Sequence, residues 1–244
     1  MKKLNWINIW VNVRLLLICI GLISLYSFTL KRNEERKLKA SVIEFTANDN
    51  LFITREMVNK LLIENKPSAQ TIRKENLDLG KLENAINANE MIEKSEVFVS
   101  IDGVLKAVVK QKTPIARVVD DAGSFYLDSE GDKMPLSIIH TARVPLVSGV
   151  VDENNSKELC KVFRLIHDDD FLKKNIIGIQ VLPNGGLIMS NRNFDYQIDF
   201  GKPINAERKF NNYKAFFQKA IKDSLLNNYR FINLKFTQQV VCTK

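Results

Sequence analysis

Two histidines, three adjacent aspartates and three cysteines are the residues of this 244-residue chain whose types could do chemistry. His140 falls in a loop and His167 at a helix end, where a cation suits the helix dipole. Neither has a His or Cys neighbour at metal-ligand spacing. Asp168-Asp169-Asp170 gathers three carboxylates but lacks the Gly and the distal Glu of a calcium loop, so it reads as a solvated helix terminus. Pro183-Asn184-Gly185-Gly186 lacks the spacing and the Lys-Ser/Thr of a phosphate loop and reads as a turn. No GxSxG or SxxK nucleophile motif occurs. Cys19 lies in an apolar run, which leaves Cys160 and Cys242; two isolated thiols can bridge in an oxidising compartment but define no disulfide framework. The expectation is a chain with no catalytic, metal-binding or cofactor-binding residues and no small-molecule substrate.

The elements around these residues are set by composition and charge. At 45% hydrophobic and 26% charged residues the chain can bury a core, and its length allows one large or two small domains. The formal charge is +8, of which +6 sits in residues 1–40: eight Lys/Arg against Glu34 and Glu35. Residues 41–244 carry 28 basic and 26 acidic side chains, only +2. A near-neutral body without aromatic-basic interleaving is not expected to bind nucleic acid.

The basic segment brackets a membrane candidate. Leu15 to Leu30 contains no charge, and Trp10 to Leu30 is 21 residues, matching the roughly 20 that a spanning helix needs. Trp6 and Trp10 at one end and Tyr26 at the other suit interfacial belts; Arg14 can snorkel, and Lys31 and Arg32 close the far end. A cleaved signal peptide is the alternative, but the run exceeds a typical signal core and no small-x-small site follows it. Charge counting alone, with Lys2, Lys3 and Arg14 against Lys31, Arg32, Arg36, Lys37 and Lys39, favours a cytoplasmic C-terminal side and does not establish orientation.

Beyond residue 41 the pattern is mixed α and β. A strand at 41–45 and an Asn48-Asp49-Asn50 turn precede a helix capped by Thr54 with Met57, Val58, Leu61 and Leu62 inward. A polar connection follows, then a helix capped by Asp78 with Leu79, Leu82 and Ile86 inward. Strands at 97–101 and 104–111 flank Asp102-Gly103, read as a type I′ turn with positive φ at both positions. The second stretch offers strands at 124–127, 144–148, 176–182, 187–190, 195–200 and 231–236. Its helices are predicted at 157–167 and at 206–226, the latter with Phe210, Tyr213, Phe217, Ile221 and Leu225 inward.

The order and spacing of Leu82-Glu83-Asn84-Ala85-Ile86, Ser95 to Val99, Gln111 to Arg117, Phe125 to Gly131, Val144 to Gly149, Tyr196 to Gly201 and Ile232 to Phe236 resemble the bacterial cell-division family FtsQ/DivIB, in its Bacteroidetes branch. The resemblance implies an α+β fold: a short cytoplasmic N-terminus (1–9), a transmembrane helix (10–30) and a basic juxtamembrane linker (31–41). After these would come a β-α-α-β-β POTRA domain (42–115), a strand-rich β-domain with a long late helix (119–236) and a tail (237–244). It implies a non-catalytic, single-pass inner-membrane protein, N-terminus in and body periplasmic, concentrated at the division septum. FtsB/FtsL-type proteins would be its partners, other divisome proteins would meet the POTRA domain, and it would help control septal peptidoglycan synthesis.

In family members a late edge strand adds a partner segment by β-augmentation. Here that strand is Phe231 to Phe236, whose alternation puts Ile232, Leu234 and Phe236 on one face and Phe231, Asn233 and Lys235 on the other. The expected partner contacts are Phe231, Asn233, Lys235 and Phe236. Two alternatives are a POTRA-bearing transport or assembly chaperone, which needs further repeats or a barrel, and a membrane-anchored envelope enzyme, which needs a convergent polar pocket.

Overall fold

A computed structural model describes residues 6–34, 36–46, 52–64, 67–74, 77–121, 123–151 and 155–244. The Asn48-Asp49-Asn50 turn and the first five residues of the expected cytoplasmic segment lie outside them. The chain divides into two compact units, one formed by residues up to 47 with 54–88 and 94–109, the other by 48–53, 89–93 and 110–244.

The first unit opens with helix α1 (Trp6–Glu34), 29 residues long. Within it Val13–Arg32, 20 residues with none buried, is long and apolar enough to cross a bilayer, so α1 fits a single-pass membrane anchor. The chain then enters strand β1 (Ala40–Phe45), which runs parallel to β3 (Val104–Gln111); β3 lies between β1 and β2 (Ile92–Val99). A parallel pair needs a crossover, and α2 (Arg55–Leu62) and α3 (Leu79–Asn87) are part of it. Both start where a side chain accepts an orphan N–H: Thr54 Oγ1 from Met57 N at 3.1 Å, Asp78 Oδ1 from Lys81 N at 3.0 Å.

Inward positions follow the helical period for Val58, Leu62, Leu82 and Ile86. Met57 departs from the expectation and is 48% exposed, because the buried stripe of this short helix is centred on Val58 and Leu62. The hairpin between β2 and β3 differs too. Gly103 N bonds Ser100 O, and among Asp102 and Gly103 only Gly103 takes a positive φ, +83°. A three-residue loop closed by a left-handed Gly replaces the two-residue I′ turn.

The second unit is built on a nine-stranded sheet in the order β12-β11-β10-β9-β8-β7-β4-β5-β6. Its strands are β4 (Pro114–Asp120), β5 (Gly123–Asp128), β6 (Lys133–Met134), β7 (Leu146–Gly149), β8 (Ile176–Val181), β9 (Leu187–Asn191), β10 (Gln197–Gly201), β11 (Phe231–Asn233) and β12 (Val241–Thr243). Helices α4 (Ser156–Asp168), α5 (Asp170–Asn175) and α6 (Ala206–Lys222) supply Leu159, Val162, Phe163, Leu172, Phe210 and Tyr213 to one continuous core with the inner sheet face.

Strand β4 and helix α5 were not expected, nor were the short strands β6 and β12. Strand β4 lacks alternation, since Ile115, Ala116 and Val118 are all buried and a bulge falls between Pro114 and Ala116. Helix α5 grows from the aspartate run: Asp169 is its N-cap, accepting from Phe171 N and Leu172 N and pairing with Lys214 at 2.7 Å. The run is therefore a helix junction rather than a free terminus. Burial works to raise the Asp169 carboxyl, but these donors bring it below its ordinary value. Helix α6 ends at Lys222, earlier than expected, so Leu225 lies beyond it and is 37% exposed; Ile221, still on the helix, is 49% exposed, while Ala220 and Lys209 are buried instead.

Candidate functional site

The last three strands form the end of the second unit's sheet. β10 and β11 run parallel, joined by α6 as the crossover; β11 and β12 run antiparallel with Phe231 opposite Thr243, Ile232 opposite Cys242 and Asn233 opposite Val241. Alternation sends Ile232 into the core with Cys242, and turns Phe231, Asn233, Val241 and Thr243 to the opposite face. Leu234 N donates to Asp199 O, and Leu234 is buried beside Ile232.

The expected edge strand is corrected here. Regular pairing of β11 stops at Asn233, where Asn233 Oδ1 takes Lys235 N at 2.9 Å and bends the chain away. Phe236 therefore does not join Ile232 and Leu234 and emerges 53% exposed. β11 is not the edge either, because the β-branched residues of the tail, Val241 and Thr243, return as β12 and cover it. The edge row of backbone groups belongs to β12.

Of the four expected contact residues, Phe231 (47% exposed) and Phe236 stand free at this end. Asn233 is half-buried, and Lys235 is tied to Asp199 through Nζ–Oδ2 at 2.6 Å. Val241, Thr243 and Asp199 belong to the same surface, and the adjoining Val240-Val241 pair was the only sequence signal for the covering strand.

Beside this surface a cleft of about 500 Å³ is lined by Ile188, Asp199, Gly201, Ile204, Lys209 and Lys235, among others. Lys209 is almost wholly buried, and its Nζ donates to Phe200 O at 2.8 Å and Lys202 O at 2.9 Å while lying 4.7 Å from the Phe200 ring centroid. Burial lowers its pKa, with Asp199 acting in the opposite direction. The ammonium ties β10 to the start of α6 through carbonyl oxygens. Deeper in, Tyr196 and Tyr213 hydroxyls meet at 2.8 Å and Asn191 Nδ2 donates to Tyr213; burial raises both phenols above their ordinary value.

The residues weighed for other chemistry lie apart from one another. His140 packs edge-on against Phe52 at 5.2 Å. His167 lies in the last turn of α4, where burial, with Lys173 nearby, lowers its pKa. Cys160 and Cys242 are free thiols; burial pushes Cys160 up to about 11. Among the described residues no three His, Cys, Asp or Glu side chains gather as metal ligands.

On α1, Trp10 is 71% and Tyr26 68% exposed, Arg14 is exposed on the second residue of the apolar span, and Lys31 and Arg32 occupy the last turn. Trp6 starts the helix, and its side chain lies outside the described residues.

The family model described as FtsQ/DivIB, C-terminal related, matches residues 113–243, from the start of β4 to the end of β12 and more than half of the chain. The chain belongs to the FtsQ/DivIB family. Membership implies a role in cell division, within a family of non-enzymatic division scaffolds. One solved structure similar to this chain is the major extracytoplasmic domain of the trans isomer of the cell-division protein DivIB from Geobacillus stearothermophilus. It is 16% identical, covers 46% of this chain and 95% of its own, and has a TM-score of 0.32. No curated protein matches the chain.

Proposed function

We propose that this FtsQ/DivIB-family chain is a non-catalytic, bitopic divisome scaffold of the inner membrane, with its N-terminus cytoplasmic and its body periplasmic at the septum. Residues 42–115 act as a POTRA domain and residues 119–236 as the family's β-domain. The sheet end formed by β11 and β12 takes an extended segment of an FtsB/FtsL-type partner, and through that complex the chain helps control septal peptidoglycan synthesis. Other divisome proteins meet the POTRA domain.

The observation that carries this reading is the surface at the end of the family-matched sheet. A terminal strand with one free backbone edge stands next to exposed Phe231, Phe236 and Val241. Backbone groups supply affinity to any extended segment, and the aromatic rings supply selectivity for apolar side chains on alternate partner positions. A fluorescent fusion of the full chain in dividing cells tests the role: mid-cell bands and filamentation on depletion are expected. Uniform envelope fluorescence with normal division would overturn it.

A further inference from the structure

The segment that leaves the membrane helix is built into the first unit rather than left as a tether. Leu38 is 2% exposed, and its N–H donates to Ile72 O at 3.1 Å; Lys74 N donates to Arg36 O at 3.0 Å, and Lys37 pairs antiparallel with Arg73. This pairing brings Arg73 and Lys74, distant in sequence, beside Arg36 and Lys37, with Lys39 two residues on. All five side chains are exposed, and among the described residues no carboxylate forms an ion pair with any of them. Like charges set opposite one another across a strand pair oppose the pairing, and a bound anion would relieve that opposition.

The β2–β3 hairpin adds a second feature at the same end. Lys39 N donates to Gly103 O at 2.8 Å, which places the Ser100-Ile101-Asp102-Gly103 tip against the start of β1. Ile101 is 100% exposed at that tip, with Asp102 next to it in sequence. A fully exposed β-branched apolar residue on a tip bonded to Lys39, in the same unit as the paired cations and a membrane-length helix, is the composition of a surface that sits on a lipid headgroup layer.

We propose that this end of the first unit, Arg36, Lys37, Lys39, Arg73 and Lys74 together with Ile101, docks on the anionic phospholipid surface from which α1 emerges. The docking rests on the anchor reading of α1 and is independent of any division partner. It holds the β-α-α-β-β unit against the bilayer and removes the freedom of a flexible juxtamembrane linker. Phosphate groups neutralise the opposed cations, and Ile101 enters the headgroup boundary.

The full chain carrying Trp6→Phe, Trp10→Phe and Ile101→Trp, reconstituted in nanodiscs containing brominated lipid, gives one emitting indole at the tip. In discs rich in phosphatidylglycerol, emission should be blue-shifted and quenched; in phosphatidylcholine discs it should stay water-like. Adding Arg73→Gln and Lys74→Gln, or raising the salt to about 0.5 M, should remove most of the quenching, since screening shortens the reach of the surface charge. Water-like emission in both lipids, or quenching unaffected by the Arg73 and Lys74 changes, overturns the docking. Trp6 and Trp10 of the unaltered chain report the anchor separately: if bromolipid quenches them while position 101 stays water-like, the docking fails and the anchor stands.

Discussion

Gly149 tolerates change least. It sits at φ +96°, where a side chain is strained, and a Cβ there would overlap Val181 O on the neighbouring strand. Gly149→Ala should lower unfolding free energy by about 3 kcal/mol or more, read from denaturant midpoints, because neither backbone can yield without breaking the β7–β8 ladder. His167 gives the chain a pH dependence of known sign. Its folded pKa lies below the ordinary value of about 6.5, so on acidification the unfolded chain takes up this proton first. Stability should fall as pH drops through the histidine range, and His167→Gln should flatten that part of the melting-temperature profile. A steeper loss in the variant would contradict the assignment. Neither residue declares itself in sequence: glycine before a loop and histidine at a helix end are both commonplace, and only the packing against Val181 and the setting beside Lys173 distinguish them.

Among elements, the helices were the most legible. Thr54, Asp78 and the apolar stripe of α4 have local causes, a cap or a 3.6 period, that need no knowledge of the rest of the chain. Helix α5 is hidden in the sequence because the aspartates that start it also suit the end of α4, and the Phe171 and Leu172 amides with Lys214 on α6 show which carboxylate is held. Asp169→Ala should cost about 1 kcal/mol, measurable in thermal unfolding, through loss of two capped amides. Strands were less legible, since β4 is buried without alternation and β12 is only three residues long. β11 and β12 differ sharply in what they hold. Ile232 and Leu234 are fully buried, whereas Val240 and Cys242 are only partly so. Deleting residues 240–244 should lower the midpoint but keep a cooperative near-ultraviolet circular dichroism transition. Deleting 231–244 should abolish it, so that larger truncation cannot isolate partner binding from folding.

At the scale of the whole molecule the uneven charge has a structural counterpart. The +6 of residues 1–40 flanks a membrane-length helix and continues, through Arg73 and Lys74, onto the unit behind it. The near-neutral remainder carries the family-matched sheet with its open end. The division between anchor and body was visible in composition; that the strand read as the edge is itself covered by the tail was not, because strand pairing between distant segments leaves little local trace. The central claim is that this sheet end receives the partner. Phe231 and Phe236 are exposed and outside the core, so replacing both with Asp should leave the fold intact. The most direct measurement is the affinity of the full chain in nanodiscs for an FtsB-type extracytoplasmic segment, with and without Phe231→Asp and Phe236→Asp. A loss of roughly tenfold or more at an unchanged melting temperature is expected; equal affinity for both chains would contradict the account.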